Sequence, residues 1–207
     1  FITAAGLSAL LGYCAFWVFL AGRTYGFIFS TTVLAATVVV FGISLYRRPF
    51  RGFIFGVDVI GPTLLTLCVG LIYLALLLAV GSTESAHDLA RGRFITVIHD
   101  DNAFPMLFAE SLSRETRSGP LRYGDFLSSD RPPLQAGVLL LQRPLMGLVS
   151  GLKDLHYLVL GAVAQLTWIG AAWTLCRVAA LPWARTALVF CLLTFSGFFL
   201  FNSVHVW

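Results

Sequence analysis

Apolar residues run almost without interruption over 2–22, 27–46 and 53–81, give way to a polar stretch over 82–134, and resume over 135–151, 155–176 and 186–207. Each run approaches or exceeds the ~20 residues that a helix needs to cross a bilayer core. The pattern predicts six spanning helices. The links "RTYG", "RRPFRG" and "LKDL" are short, so sequence neighbours are expected to run antiparallel. Pro62, inside the third run at "VIGPT", is expected to kink it. The chain divides into three N-terminal transmembrane helices (1–81), a loop (82–134) and three further transmembrane helices (135–207).

Within the loop a second periodicity appears. From Phe104 the apolar positions Leu107, Phe108 and Leu112 recur at three- and four-residue spacing, with Glu110, Ser113 and Arg114 elsewhere. This predicts an amphipathic helix lying along a membrane surface. Pro105 falls in its first turn, where a missing N–H costs nothing, and Asp101 or Asn102 is placed to cap it.

Composition sharpens the class. Of 207 residues 58% are hydrophobic and 12% charged, against about 25% charged in soluble domains. The fold expected is all-α, a polytopic membrane helical bundle with the lipid bilayer as its surroundings. The run at the start lacks a basic leader and a small-residue cleavage site, so it reads as a span rather than a signal peptide. Opening on Phe1 and closing on "FNSVHVW", the chain reads as truncated. Cys14, Cys68, Cys176 and Cys191 all sit in apolar runs without metal-ligand spacing and read as small buried hydrophobes.

Charge orients the chain. The loop holds eight acids and six arginines, net −2, and the remainder eight basic residues and two acids, net +6. Arg47, Arg48 and Arg51 cluster in one short link, which the positive-inside bias assigns to the cytoplasm. The loop is then exoplasmic. Lys153 agrees; Arg177 and Arg185, exoplasmic by parity, run against it. Basic charge is scattered, so no nucleic acid partner is expected.

Two motifs carry candidate chemistry. "IHDDNAF" (98–104) sets His99, Asp100 and Asp101 directly ahead of the amphipathic helix. One acid there is explained by capping and the helix dipole; the second is free to act as a general base or to hold a cation. "SSDRPPLQ" (128–135) closes the loop, with Pro132 and Pro133 stiffening re-entry and holding Asp130 and Arg131 outside the following helix. A charged pair at the headgroups is the plainer account of that segment. Asp58, inside an apolar run, is either hydrogen-bonded to a neighbouring helix or part of a transport path. Arg143, in "LLLQRPLMG", either makes an interhelical pair or reaches a ligand phosphate. His87, His156 and His205 have no matching partners in the sequence.

Together "DDNAF" and "DRPPL", in that order within one loop, resemble the first exoplasmic loop of the GT-C glycosyltransferases, the protein O-mannosyltransferases and lipid A aminoarabinose transferases being similar in pattern. There an acid pair opens an interfacial helix and an "EKPPL"-like segment closes the loop; "FAESL" after the acid pair is similar to the family's "AEI" run. The resemblance covers roughly residues 95–145. It departs from the family at Arg131, where His or Lys is usual, at Gln135, and in having three helices before the loop. It implies inverting transfer of a sugar from a polyprenyl-phosphate donor to an exoplasmic acceptor, whether glycan, lipid or protein. Asp100 is then the base and Asp101 helps orient acceptor or substrate, with Asp130 and Arg131 in the segment that lines the same cavity; a divalent cation is a possible cofactor, which two carboxylates do not decide. Apart from the resemblance, Arg143 and His99 are candidate substrate-binding residues, His99 by tuning Asp100 or contacting a ligand, with a solvated loop histidine as the plainer account. A transporter or flippase using Asp58 and Arg143, and a non-catalytic subunit using the loop as a partner surface, are the alternatives from other classes.

Overall fold

The computed structural model describes residues 2–47, 52, 56–80, 104–114, 122–123, 126–127, 133–146 and 153–204. Ten helices and one short strand pair occur among them: α1 (Ile2–Ala21), α2 (Arg23–Tyr46), α3 (Val57–Val80), α4 (Phe104–Ser113), β1 (Arg122–Tyr123), β2 (Phe126–Leu127), α5 (Pro133–Leu141), α6 (Arg143–Met146), α7 (Lys153–Gln165), α8 (Trp168–Val178), α9 (Trp183–Phe195) and α10 (Gly197–Val204). The strands are antiparallel, Arg122 opposite Leu127 and Tyr123 opposite Phe126.

Four stretches are long and apolar enough to cross a membrane: Ile2–Ala21, Arg23–Tyr46, Val57–Leu76 and Val159–Val178. Side-chain placement along α2 fits that length. Its second half exposes Val38, Val39, Val40 and Phe41, while its ends carry exposed Tyr25 and Tyr46 next to Arg23 and Arg47. At ~1.5 Å rise per residue the two tyrosines lie about 32 Å apart along the axis, close to the ~30 Å of a hydrocarbon core whose boundaries tyrosine favours. Within the spans Thr37 returns its hydroxyl to the Val33 carbonyl (2.8 Å) and Thr66 to the Pro62 carbonyl (2.8 Å), which satisfies those hydroxyls in an apolar surround. α3 continues through Pro62, which is fully buried.

Two apolar clusters hold the helices together. In the first, Phe16 and Phe19 of α1, Met106, Ala109 and Leu112 of α4, Ala136, Leu139 and Leu140 of α5 and Tyr157 of α7 meet. The second joins Val69 and Tyr73 of α3, Leu166, Ile169, Trp173 and Cys176 along the α7–α8 column, and Phe190 of α9. The α7–α8 column belongs to both, through Tyr157 in the first and Leu166 to Cys176 in the second, and ties the two halves.

The close approaches are made by glycine. α1 and α2 are separated by Gly22 alone, and a Cβ on Gly26 would run into the Phe19 ring. α1 crosses α5 at Gly12 and Gly137, where a Cβ on Gly137 would enter the Gly12 carbonyl. Small residues at such crossings are how helices approach when apolar surface on both sides gives no further drive to associate.

The pairing around α3 sets the direction of the later helices. Trp173 and Arg177 of α8 contact Asp58 in the first turn of α3, and Leu166 lies against Gly70, so the α7–α8 column runs antiparallel to α3. Trp183, opening α9, stacks edge-on against Trp173, and Tyr73 donates to the Thr194 carbonyl (2.7 Å) at the close of α9; α9 therefore runs parallel to α3. Residues 133–146 differ from the single spanning helix expected at 135–151. They form a nine-residue and a four-residue helix separated at Gln142. Nine residues rise only about 14 Å, less than half a bilayer core. Arg177, paired with Asp58, and Arg185, in the first turn of α9, lie at the Asp58 end of the bundle, the end opposite the one parity over six spans assigns them.

Candidate functional site

Five of the six candidate site residues, His99, Asp100, Asp101, Asp130 and Arg131, lie outside the described residues; so does the capping role expected of Asp101 or Asn102. The elements they lead into are described. α4 starts at Phe104, as the periodicity predicts, and its Pro105 sits in the first turn. Phe104, Phe108 and Leu112 are buried, Leu107 only partly, while Met106 and Ala109 join the covered face. The helix is thus covered more fully than a surface-lying amphipathic helix needs. The cover is α5 and α1, which pack on it.

α5 follows "DRPPL" directly, beginning at Pro133. Its position is set from three sides. Gly137 sits against Gly12, Leu139 and Leu140 pack into the first cluster, and the buried Ser30 hydroxyl of α2 donates to the Leu140 carbonyl at 3.1 Å. That carbonyl belongs to the last turn of α5, where no helical N–H is available to it. Along the remaining face lie Gln135 and, seven residues on, Gln142. The Gln135 Oε1 is buried and has no hydrogen-bond partner among the described residues.

Gln142, at the break between α5 and α6, contacts His156 of α7 through Oε1 and Nε2 at 2.6 Å. His156 therefore has a partner that the sequence did not suggest. It lies just ahead of the apolar stretch Val159–Val178 and is half-buried, and burial holds its pKa below the usual histidine value. The imidazole is then neutral near pH 7 and donates from Nε2–H to the glutamine oxygen. Arg143 opens α6, half-buried, with no ion pair among the described residues. The interhelical pair expected of it as the plainer alternative is not made there.

At the other end of the bundle, the intramembrane acid has an ordinary structural explanation. Asp58 Oδ1 takes the Trp173 indole N–H at 3.2 Å and the Arg177 Nε at 3.0 Å, in a pair about 60% exposed on both sides (64% and 58%). An aspartate in a first turn also complements the helix dipole. Its charge is matched by contacts that tie α3 to α8, which removes the motive for reading it as a transport group.

No three metal-ligating side chains converge among the described residues, and the acid pair that would hold a cation lies outside them. All four cysteines are free thiols; Cys176 is buried as expected, but Cys68 and Cys191 are exposed on the outer faces of α3 and α9. Compared with family models, curated proteins and solved structures, the chain finds no match in any of the three.

Proposed function

We propose that this chain is part of a GT-C-like membrane glycosyltransferase that moves a sugar from a polyprenyl-phosphate donor to an acceptor hydroxyl on the exoplasmic side. The observation that carries the reading is the packing of α4 on α5: the helices that "DDNAF" and "DRPPL" lead into are neighbours, at the end of the bundle where α3 closes. One cavity served by both motifs needs that arrangement, and a passive linker does not. Charge supports the orientation. Arg177 pairs with Asp58 in the first turn of α3, and in this reading Arg177 and Arg185 join the basic link between α2 and α3 on the cytoplasmic face.

In this reading Asp100 takes the proton of the acceptor hydroxyl as the sugar bond forms, because an alcohol is too weak an acid to attack unassisted. Asp101 orients the acceptor. The departing lipid phosphate gains negative charge, which Arg131 and Arg143 stabilise. Asp130 and His99 line the acceptor side.

The test is Asp100→Asn in the full-length protein, assayed for sugar transfer from a polyprenyl-phosphate donor. General-base assistance contributes ~10²–10⁴-fold, and asparagine still caps a helix. Turnover is expected to fall by that range with melting unchanged; near-normal turnover would sink the assignment.

A further inference from the structure

Residues 183–204 are long enough for one continuous helix, yet Ser196 divides them into α9 and α10. Its backbone is extended, with φ −71° and ψ 135°. Ser196 closes one half and opens the other: its N–H returns to the Leu193 carbonyl at 3.2 Å, and its hydroxyl takes the Phe199 N–H at 3.3 Å. Three rungs of a continuous ladder are given up, from Gly197 to Leu193, from Phe198 to Thr194 and from Phe199 to Phe195. No proline lies between Trp183 and Val204 to force this, and a Cβ on Gly197 would meet nothing within 4 Å. Serine–glycine pairs are among the usual places where helices kink.

One bond from outside the segment holds the joint. The Tyr73 hydroxyl of α3 donates to the Thr194 carbonyl at 2.7 Å, and both residues are buried. In a continuous helix that carbonyl belongs to the Phe198 N–H instead. Tyr73 stands about 24 Å along α3 from Val57, inside the hydrocarbon, so no water replaces a partner that is lost. The Thr194 carbonyl therefore has two satisfied arrangements and nothing stable between them. Phe195 and Phe198, on either side of the joint, are exposed and oppose no movement. Holding α10 down are Phe199 against the Trp168 ring (centroids 4.7 Å), Leu200 at the second cluster, and contacts with α3 and α7.

We propose that Ser196 and Gly197 form a two-state hinge within the membrane, kept bent by the bond from Tyr73 to the Thr194 carbonyl. When that bond opens, the Phe198 N–H takes over the carbonyl and the two helices become one. Phe199 then leaves Trp168, and α10 stands away from α7. The movement opens the bundle sideways towards lipid, at the end where α3 closes. It owes nothing to the glycosyltransferase reading.

The test is fluorine NMR of the full-length protein in nanodiscs, with Trp168 replaced by its 5-fluoro analogue. The Phe199 ring shifts that resonance while α10 is bent, and Phe199→Leu marks the position without it. Tyr73→Phe removes one neutral hydrogen bond, worth roughly twofold to tenfold in such an equilibrium. It is expected to raise the second resonance by that factor. Gly197→Ala, a better helix former with room for its methyl, moves the populations the same way with Tyr73 in place. Gly197→Pro does the reverse. Proline suits the first position of α10 and requires an extended residue before it, which Ser196 already is. In a continuous helix its ring would meet the Leu193 carbonyl. This variant is expected to keep the parent spectrum and, combined with Tyr73→Phe, to remove the second resonance.

A single parent-like resonance in both Tyr73→Phe and the Tyr73→Phe/Gly197→Ala double variant overturns the hinge. So does a second resonance that survives Gly197→Pro, since straightening is then not its source. If Tyr73→Phe does not fold, Gly197→Ala alone decides, and no second resonance there overturns the hinge. A Gly197→Pro chain that loses its fold overturns the bent geometry itself.

Discussion

Gly137→Ala is the smallest change that tests whether α5 is held where its neighbours put it. A Cβ at this position falls 2.7 Å from the Gly12 carbonyl carbon and 3.2 Å from the Phe16 Cβ, with the Gly12 oxygen nearer still. Ordinary contact begins at 3.4 Å, and the obstructing atoms are backbone, which cannot turn aside. α5 must therefore withdraw from α1 by on the order of 1 Å. Overpacking of this kind costs about 1–3 kcal/mol, and for a chain of this length each kcal/mol lowers Tm by roughly 2–4 °C. The internal control is Gly42→Ala, where no atom lies within 4 Å; removing a helical glycine there gains about 0.5–1 kcal/mol. Melting of the purified proteins in one detergent is thus expected to move in opposite directions. Since α5 follows "DRPPL" directly and carries Gln142 at its end, an ångström of withdrawal is also expected to cost about 100-fold in sugar transfer, the loss that such misplacement typically brings. Equal melting temperatures for Gly137→Ala and Gly42→Ala would refute the close crossing and with it the anchoring of α5.

Other outcomes follow from single contacts. With the native cysteines replaced, a cysteine at Ser118 is expected to react with an impermeant thiol reagent in intact cells, and one at Ala184 only after permeabilisation; labelling of Ala184 from outside would restore the six-span parity. Ala180 has a left-handed φ of 50° at the end of α8, where the Leu181 N–H returns to the Cys176 carbonyl at 3.0 Å. Glycine is the usual residue there, so Ala180→Gly is expected to raise stability by about 0.5–1 kcal/mol, and a lower melting temperature would contradict that geometry. Burial lowers the His156 pKa in the folded state, so the folded chain favours the neutral ring. The stability this contributes is full above the unfolded value of ~6.5 and is lost as pH falls through it towards the folded value. A melting profile between pH 8 and 5 should drop more steeply for the parent than for His156→Gln, and coincident profiles would remove histidine from the account.

Much of the helical layout was legible because hydropathy reports on long, continuous elements. α1, α2 and α3 lie within a few residues of the runs that predict them, and the helix from Phe104 follows its three- and four-residue spacing. What misled was averaging. Over 135–151 the apolar count is that of a span, yet "QRP" in its middle ends one short helix and starts another: Pro144 has no N–H to continue the ladder and restricts Arg143 before it. The same averaging joins α9 to α10 across Ser196, whose hydroxyl instead receives the Phe199 N–H at 3.3 Å and opens a new helix. The partners in contacts between distant positions had no sequence signal, although Asp58 in an apolar run did point to a bond with a neighbouring helix. Nothing in "LKDLHYL" points to Gln142, and nothing in "TLCRV" points to Asp58. The catalytic assignments were legible only as motifs, since neither acid segment belongs to the described residues.

The bond from Ser30 to the Leu140 carbonyl bears on how the chain is built. A nine-residue helix ends with carbonyls that hydrocarbon cannot satisfy, and its other flank needs the notch left by Gly12. Both provisions come from the α1–α2 hairpin, which is made before α5 and lies more than eighty residues ahead of it in the chain. α5 therefore has no stable berth until that hairpin stands. Its docking is a late step in assembly, and a chain lacking α1 and α2 would leave the "DRPPL" segment without an anchor however faithfully the rest of it folded.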